Sequence, residues 1–138
     1  MMKIHLKRVN KAVHLEATNE NGNKVQIDGA PKIGGEDQGA RPMELLIMGL
    51  GGCSSMDVIS ILTKQKQVID DYEVNITAER TEDQTPNLFS NIHVEFVFKG
   101  DINETKLERA IALSMDKYCS VTKIIEKTAT ITYSHKLN

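Results

Sequence analysis

The sequence predicts an α+β fold, because strand-like and helix-like patterns occur in runs instead of alternating one by one. Three short segments with period-two alternation lie before Gly29, and two longer ones lie at 72–80 and 91–100. Apolar residues at helical spacing occupy 42–64 and 104–118. The predicted order is three strands, a helix, two strands, a helix with a short helical extension, and a last strand.

The first third of the chain predicts three antiparallel strands. They are "KIHLKRV", "KAVHLEAT" and "KVQID", each with apolar residues alternating onto one face. The segment "NENGN" between the second and third strands predicts a hairpin, with Asn21-Gly22 supplying the positive φ angles. The Gly- and Pro-rich segment 29–41 carries no periodicity and predicts a loop.

The segment "PMELLIMGLGGCSSMDVISIL" predicts a helix that starts at Pro42 and ends near "KQKQVIDD", where Lys64 and Lys66 suit its last turn. Three glycines interrupt it before Cys53, and each costs a helix about 1 kcal/mol relative to alanine. Small residues on one face would let another helix approach closely, which could offset that cost. The face defined by steps of three and four comprises Leu45, Gly49, Gly52, Met56 and Ile59, with Cys53 beside it.

The second half predicts a hairpin, one main helix and a final strand. "YEVNITAER" and "NIHVEFVFKG" each turn their apolar residues one way, so one face of the hairpin is expected to be buried. The main helix has Asp101 or Asn103 as its N-cap and ends near Cys119. "SVTKIIEK" predicts a short helix and "TATITYSHKL" a strand.

Length and composition exclude several classes of protein. At 138 residues the chain is expected to form one domain, residues 1–138, with a core that needs no disulfide or metal. Its net charge of -2 comes from interspersed charges, so we expect no nucleic-acid partner. The N-terminus offers no signal-peptide core and no uninterrupted membrane span is seen, so a cytoplasmic location and no membrane partner are expected.

A metal centre is not predicted. The four histidines, His5, His14, His93 and His135, fall in predicted strands, and no two stand at a ligand spacing. Neither cysteine has a second ligand near it in the sequence. We therefore expect no metal and no cofactor.

The two cysteines, Cys53 and Cys119, leave two interpretations open. Free cysteine is among the most buried residue types, so both could be inert core residues. The position of Cys53, after glycines and before Ser54-Ser55, instead favours a reactive group in a cluster of small side chains. A thiolate three turns into a helix gains little from the helix dipole, so it would need a basic side chain nearby.

Together these features resemble a known family. The segments "GG" at 34–35, "RPMELLIMGLGGCSSMDVISIL" around the first cysteine and "KYCSVTKII" around the second are similar to the OsmC/Ohr family of cysteine-based peroxidases, in its YhfA-like branch. The likeness extends over essentially the whole chain. The combined pattern is far more specific than a lone cysteine, and less specific than a full catalytic signature.

The resemblance implies a fold, a partner and a chemistry. The fold would be an intertwined homodimer in which antiparallel sheets wrap around central helices. Cys53 would be the peroxidatic cysteine, which an organic hydroperoxide oxidises to a sulfenic acid, and Cys119 would resolve it as a disulfide. A dithiol reductant would then restore both thiols.

In the family, a glutamate directly after the proline orients an arginine over the thiolate. Here Met43 follows Pro42 and Glu44 comes one position later, a rotation of about 100° on a helix. The resemblance thus carries the glutamate's role to Glu44 and the arginine's role to Arg8 or Arg41, with Lys11 as a further basic candidate beside Arg8. Arg41 is roughly 15 Å or more from Cys53 along a straight helix, so it would need a kink or a second chain to reach that residue.

Two other functions remain open on the sequence. A non-enzymatic dimer of the same fold, acting as a scaffold or binding an apolar ligand, is favoured by the displaced Glu44. A thiol-disulfide oxidoreductase acting on proteins is less favoured because the chain has no Cys-x-x-Cys pair. For the peroxidase, an apolar pocket lined by Met48, Leu50 and Met56 is expected.

Overall fold

The computed structural model describes residues 1–138, which divide into two compact units, Met1–Leu46 and Ile47–Asn138. The boundary falls within the long helix. In chain order the elements are β1 (His5–Arg8), β2 (Leu15–Thr18), β3 (Lys24–Ile27), a 3₁₀ turn (Pro31–Ile33), α1 (Pro42–Lys64), β4 (Val68–Arg80), β5 (Phe89–Asp101), α2 (Glu104–Leu113), a π turn (Ser114–Tyr118), α3 (Ser120–Ile125) and β6 (Thr130–Leu137). The α+β class and the order of elements predicted from the sequence are confirmed.

The first unit contains an antiparallel sheet of order β1-β2-β3, as predicted. Gly22 at the β2–β3 hairpin has φ 85°, whereas Asn21 does not share the positive φ expected for it. Two backbone hydrogen bonds close the loop. The N–H of Gly22 donates to the carbonyl of Asn19, and the N–H of Asn19 donates to the carbonyl of Asn23. A loop of this kind needs only one left-handed residue, which explains the difference.

The segment between β3 and α1 is organised around one buried carboxylate. Asp28 is only 1% exposed and accepts hydrogen bonds from the backbone N–H groups of Gly29, Glu36 and Gln38 at 2.8–3.1 Å. These donors satisfy the charged form, so they hold the pKa of Asp28 below its ordinary value of 3.8. A segment predicted as a loop is thereby given a defined path.

Helix α1 begins at Pro42, as predicted, and ends at Lys64, the first residue of the segment in which its end was predicted. At its end Lys66 takes a left-handed φ of 59°, the N–H of Gln67 reaches the carbonyl of Leu62, and the N–H of Lys66 reaches that of Thr63. This pair of bonds is a Schellman motif, which satisfies carbonyls that a helix end leaves free.

By length and composition alone α1 could cross a membrane, because an 18-residue window has a mean hydropathy of 1.8. Its inner face nevertheless belongs to a protein core, with Leu50, Val58 and Leu62 fully buried. Only 28% of the apolar window is buried, so much of the helix remains open in the single chain.

The second unit contains a sheet of order β4-β5-β6. Strands β4 and β5 form the predicted antiparallel hairpin, and β4 begins at Val68, ahead of the predicted segment. Strand β6 pairs with β5 in parallel, although the family resemblance implied antiparallel sheets. A parallel neighbour needs a long crossover, which the helices between β5 and β6 supply. The alternating buried residues of β5 are Ile92, Val94, Phe96 and Phe98, as predicted.

The helical segment between β5 and β6 changes its winding before the second cysteine. Asn103 caps α2, its side chain accepting from the N–H of Lys106, which confirms one of the two predicted caps. After Leu113 the α-helix gives way to a π turn. A hydrogen bond of 2.8 Å closes this turn, donated by the N–H of Cys119 to the carbonyl of Ser114. Such turns occur frequently at functional sites.

The buried carboxylate of Asp28 generates a prediction about pH. Its folded-state pKa lies below its unfolded value, so its stabilisation is complete above pH 3.8 and is lost as pH falls through the folded pKa. We expect Asp28→Asn to lower the free energy of unfolding at neutral pH. The deficit relative to the wild type should shrink in acid, as measured by urea denaturation across this range.

Asp83→Asn is the control, because Asp83 is an exposed carboxylate in the β4–β5 loop. It should follow the wild-type curve at every pH. A constant deficit of Asp28→Asn at all pH values would contradict the assigned role of the charge.

Candidate functional site

The fold brings the two cysteines together. Both are free thiols, Cys53 in the middle of α1 and Cys119 between the π turn and α3, and their Sγ atoms lie within 4.8 Å of each other. Cys119 is fully buried, whereas Cys53 is half-buried. Cys53 is therefore the cysteine that is partly open to solvent, and Cys119 is closed to it. The sulfurs are close enough for side-chain rotations to bring them to the bonding distance of a disulfide, about 2.05 Å.

The π turn sets the position of Cys119. Because its closing hydrogen bond spans one residue more than that of an α-helix, it displaces Cys119 relative to a regular helix and ends the winding there. Cys119 then begins α3, and its Sγ accepts the N–H of Thr122 at 3.4 Å. Burial raises the pKa of the Cys119 thiol, and the neighbouring Cys53 raises it further. Both effects favour the un-ionised thiol over the thiolate.

A carboxylate completes the cluster. Asp57 lies one helical turn after Cys53, and one of its oxygens is within 4.8 Å of both sulfurs. Its Oδ2 accepts a hydrogen bond from the hydroxyl of Ser114 at 2.9 Å, and Ser114 is fully buried. The sequence reasoning missed both residues. Asp57 could have been found as the one acidic residue in the apolar part of α1, four positions from Cys53 and so on its face.

Small residues of α1 keep the surrounding elements close. A Cβ added at Gly51 would lie 3.0 Å from Cδ1 of Ile76 on β4. Ser54 is fully buried and turns its hydroxyl back to the carbonyl of Leu50, while the hydroxyl of Ser55 bonds that of Tyr72. Larger side chains at these positions would push β4 and the π turn away from Cys53.

An open apolar groove of about 390 Å³ runs along α1 and β4, and Cys53 is not among the residues that line it. Met48 lines it as expected, whereas Leu50 is fully buried and Met56 is 73% exposed. A Cβ added at Gly49 or Gly52 would meet no atom within 4 Å. The groove is lined by Ile47, Met48, Gly51, Gly52, Ser55, Val74 and Ile76.

The other predicted site residues lie in the first unit. The guanidinium of Arg8 donates to the backbone carbonyls of Lys11 and Ala12. That of Arg41 pairs with Asp37 at 2.9 Å. The side chain of Glu44 accepts the backbone N–H of Arg41 at 2.8 Å, which is the reciprocal bond of a helix capping box. The role of these three residues toward Cys53 remains a prediction.

Two clusters offer atoms that a metal ion could use. One is Cys53, Asp57 and Cys119, in which Cys119 is distant in the sequence from the other two, and neither cysteine was expected to meet a further ligand. The other is Glu104, Glu108 and His135, where the two carboxylates are exposed and Nε2 of the histidine lies 3.1 Å from Glu104. Only the first contains sulfur.

Comparison with known proteins identifies the class. Residues 35–134 match the family described as OsmC-like protein. The chain is 40% identical to Protein YhfA of Escherichia coli K12 over 117 residues, 84% of each chain. The chain therefore belongs to the OsmC-like family, and its fold is the fold of that family.

Solved structures agree with this assignment. A hypothetical protein from Aquifex aeolicus VF5 superposes with a TM-score of 0.81 at 28% identity, covering 100% of this chain and 98% of that one. An organic hydroperoxide resistance protein OsmC from Legionella pneumophila gives a TM-score of 0.72 at 14% identity, covering 99% and 96%. The second likeness supports the fold alone.

The capping role of Glu44 can be tested by two substitutions. Glu44→Ala removes the acceptor for the N–H of Arg41 and should lower the free energy of unfolding by about 0.3–1.5 kcal/mol. Glu44→Gln keeps an acceptor oxygen and should retain most of that stability. Urea denaturation with Glu20→Ala, an exposed hairpin residue, as control measures both; equal losses in Ala and Gln variants would contradict capping.

Proposed function

We propose that this chain is a thiol-dependent peroxidase that reduces organic hydroperoxides, with Cys53 as the peroxidatic and Cys119 as the resolving cysteine. One observation carries the proposal: two free sulfurs lie within 4.8 Å, one on a half-buried cysteine and one on a fully buried cysteine. A sulfenic acid formed on Cys53 would have a second thiol beside it, which protects it from irreversible oxidation.

The reaction divides into three balanced steps. The Cys53 thiolate attacks the distal oxygen of the hydroperoxide, the O–O bond breaks, and the alkoxide takes a proton to leave as an alcohol. Cys119 sulfur then attacks the sulfenic sulfur of Cys53, forming the disulfide as hydroxide leaves with a proton as water. A dithiol reductant, oxidised in turn to its own disulfide, returns both cysteines to thiols.

In the second step Asp57 would act as the general base. Its carboxylate lies within 4.8 Å of both sulfurs, and Ser114 holds one of its oxygens. It can accept the proton of the Cys119 thiol and pass it to the hydroxide that leaves Cys53. General-base assistance of this kind contributes roughly 10²–10⁴-fold to a proton-transfer step.

The surroundings suit an apolar substrate. The groove along α1 and β4 is lined by Gly52, the residue before Cys53, and otherwise mainly by aliphatic side chains and glycine, so the organic part of a hydroperoxide could lie along it. Arg8 or Arg41 would supply the positive charge that stabilises the Cys53 thiolate. Glu44 lies three positions after Arg41 in the sequence. No protein cofactor enters this scheme.

The proposal includes a homodimer of chains that each form one domain of 138 residues, acting in the cytoplasm. Gly49 and Gly52 border open space, and Met48 and Met56 are 58% and 73% exposed on the same helix. A second copy of α1 packed on this face would bury those methionines. The same contact would explain why poor helix formers stand there.

A non-enzymatic dimer of this fold is the second candidate. It is favoured by the engagement of Glu44 with the N–H of Arg41 and of Arg41 with Asp37, because both groups of the expected activating pair have other partners. In that case the groove would bind an apolar ligand and the thiols would react slowly.

A single turnover with cumene hydroperoxide separates the candidates. We expect one equivalent to consume both thiols of the reduced wild type and to produce an intramolecular disulfide, seen by mass spectrometry. Cys119→Ser should stop at a sulfenic acid that dimedone traps on Cys53, and Cys53→Ser should not react. Two thiols left free in the wild type would refute the peroxidase.

A dimer-directed substitution tests the open helix face. Gly49→Leu and Gly52→Leu should dissociate the dimer in size-exclusion chromatography with light scattering, because each places a branched side chain where the partner helix would lie. Gly49→Ala, which adds one methyl group, is the matched control and should remain dimeric. An intact dimer in both leucine variants would contradict this interface.

A further inference from the structure

We propose that Cys53, Asp57 and Cys119 form a zinc-binding site in the reduced protein. The peroxidase proposal neither requires nor supplies this site, and each can fail without the other. The inference rests on two thiols and one carboxylate whose ligand atoms converge in a partly buried position.

The donor set is one that zinc prefers over the common hard cations. Thiolate sulfur selects zinc and other thiophilic metals, whereas calcium and magnesium take oxygen ligands. With Zn–S bonds of about 2.3 Å, tetrahedral geometry puts two sulfurs roughly 3.8 Å apart. The ligand atoms here lie within 4.8 Å of one another, so small side-chain rotations can bring them to that spacing.

Outer hydrogen bonds already orient two of the three ligands. The hydroxyl of Ser114, fully buried, donates to Oδ2 of Asp57 at 2.9 Å and leaves the other oxygen free. The N–H of Thr122 points at Sγ of Cys119 at 3.4 Å, a contact that favours a thiolate. Partners of this kind commonly support metal-ligating carboxylates and thiolates.

The site would have three protein ligands and one open position. Cys53 and Asp57 are half-buried, so a water molecule is the ligand we expect at the fourth position. Three protein ligands with a water in the fourth position are typical of exchangeable or catalytic zinc. Because a disulfide has no thiolate to offer, zinc binding and a Cys53–Cys119 disulfide exclude each other.

The test uses the full chain, reduced and freed of metal. Titration with Co²⁺ should produce a thiolate-to-metal charge-transfer band and intense tetrahedral visible absorption at one ion per chain. Competition between the protein and a chromophoric chelator then gives the affinity for Zn²⁺. Cys53→Ser and Cys119→Ser should abolish the charge-transfer band or halve its intensity and weaken zinc binding at least about 100-fold.

Two further variants address the oxygen ligand. Asp57→Asn removes the anionic ligand and should also weaken binding, while Ser114→Ala should weaken it by about 10–100-fold, as expected for an outer-shell partner. His135→Gln, in the separate Glu104–Glu108–His135 cluster, is the control and should bind zinc like the wild type.

A measurement on the wild type guards against variants that do not fold. One equivalent of Zn²⁺ should slow alkylation of Cys53 by iodoacetamide at least about 10-fold, and excess EDTA should restore the rate. No thiolate band with Co²⁺, unchanged alkylation, or zinc affinity lost only in His135→Gln would each overturn the site. Peroxide turnover measured in EDTA reports separately on the proposed enzyme.

Discussion

The close approach of α1 to the elements around it is the constraint on which the second unit depends. Gly51 packs against Ile76 so closely that even an added Cβ would be a tight contact. Ser54 and Ser114 are fully buried. Side chains of ordinary core size would separate α1 from β4 and from the π turn. Small residues therefore lower the helix propensity of α1 but let neighbouring elements pack close to it. A site made of two sulfurs from different elements requires that close packing.

The π turn is the second half of this arrangement. A regular helix continued from α2 would present a different side chain toward α1, because each residue turns the helix by about 100°. The wider turn places the hydroxyl of Ser114 on Asp57 and the thiol of Cys119 next to Cys53. The result is asymmetric, with one half-buried and one fully buried cysteine, and the proposed order of reaction, with Cys53 first, depends on that asymmetry.

Much of the fold could be predicted because its signals are local. Alternation along β5, the turn chemistry at Gly22, the cap at Asn103 and the helix from Pro42 to Lys64 all follow from backbone preferences and from side-chain periods. The parallel pairing of β6 with β5 and the path held by Asp28 could not be predicted in this way. Each depends on contacts between residues that are far apart along the chain. Periodic patterns in a single sequence do not predict such contacts.

For the site, residue types and local spacing are enough to indicate which residues could carry chemistry: two cysteines, the first in a run of small residues on a helix. Three features could be known only from the folded chain: the sulfurs meet, Asp57 and Ser114 join them, and Glu44 accepts the N–H of Arg41 at the start of α1. The sulfurs could not be paired from the sequence because the two cysteines are far apart along the chain. Cys53 and Cys119 lie in different halves of the sequence, and the burial and the π turn that bring their sulfurs within 4.8 Å exist only once the chain has folded.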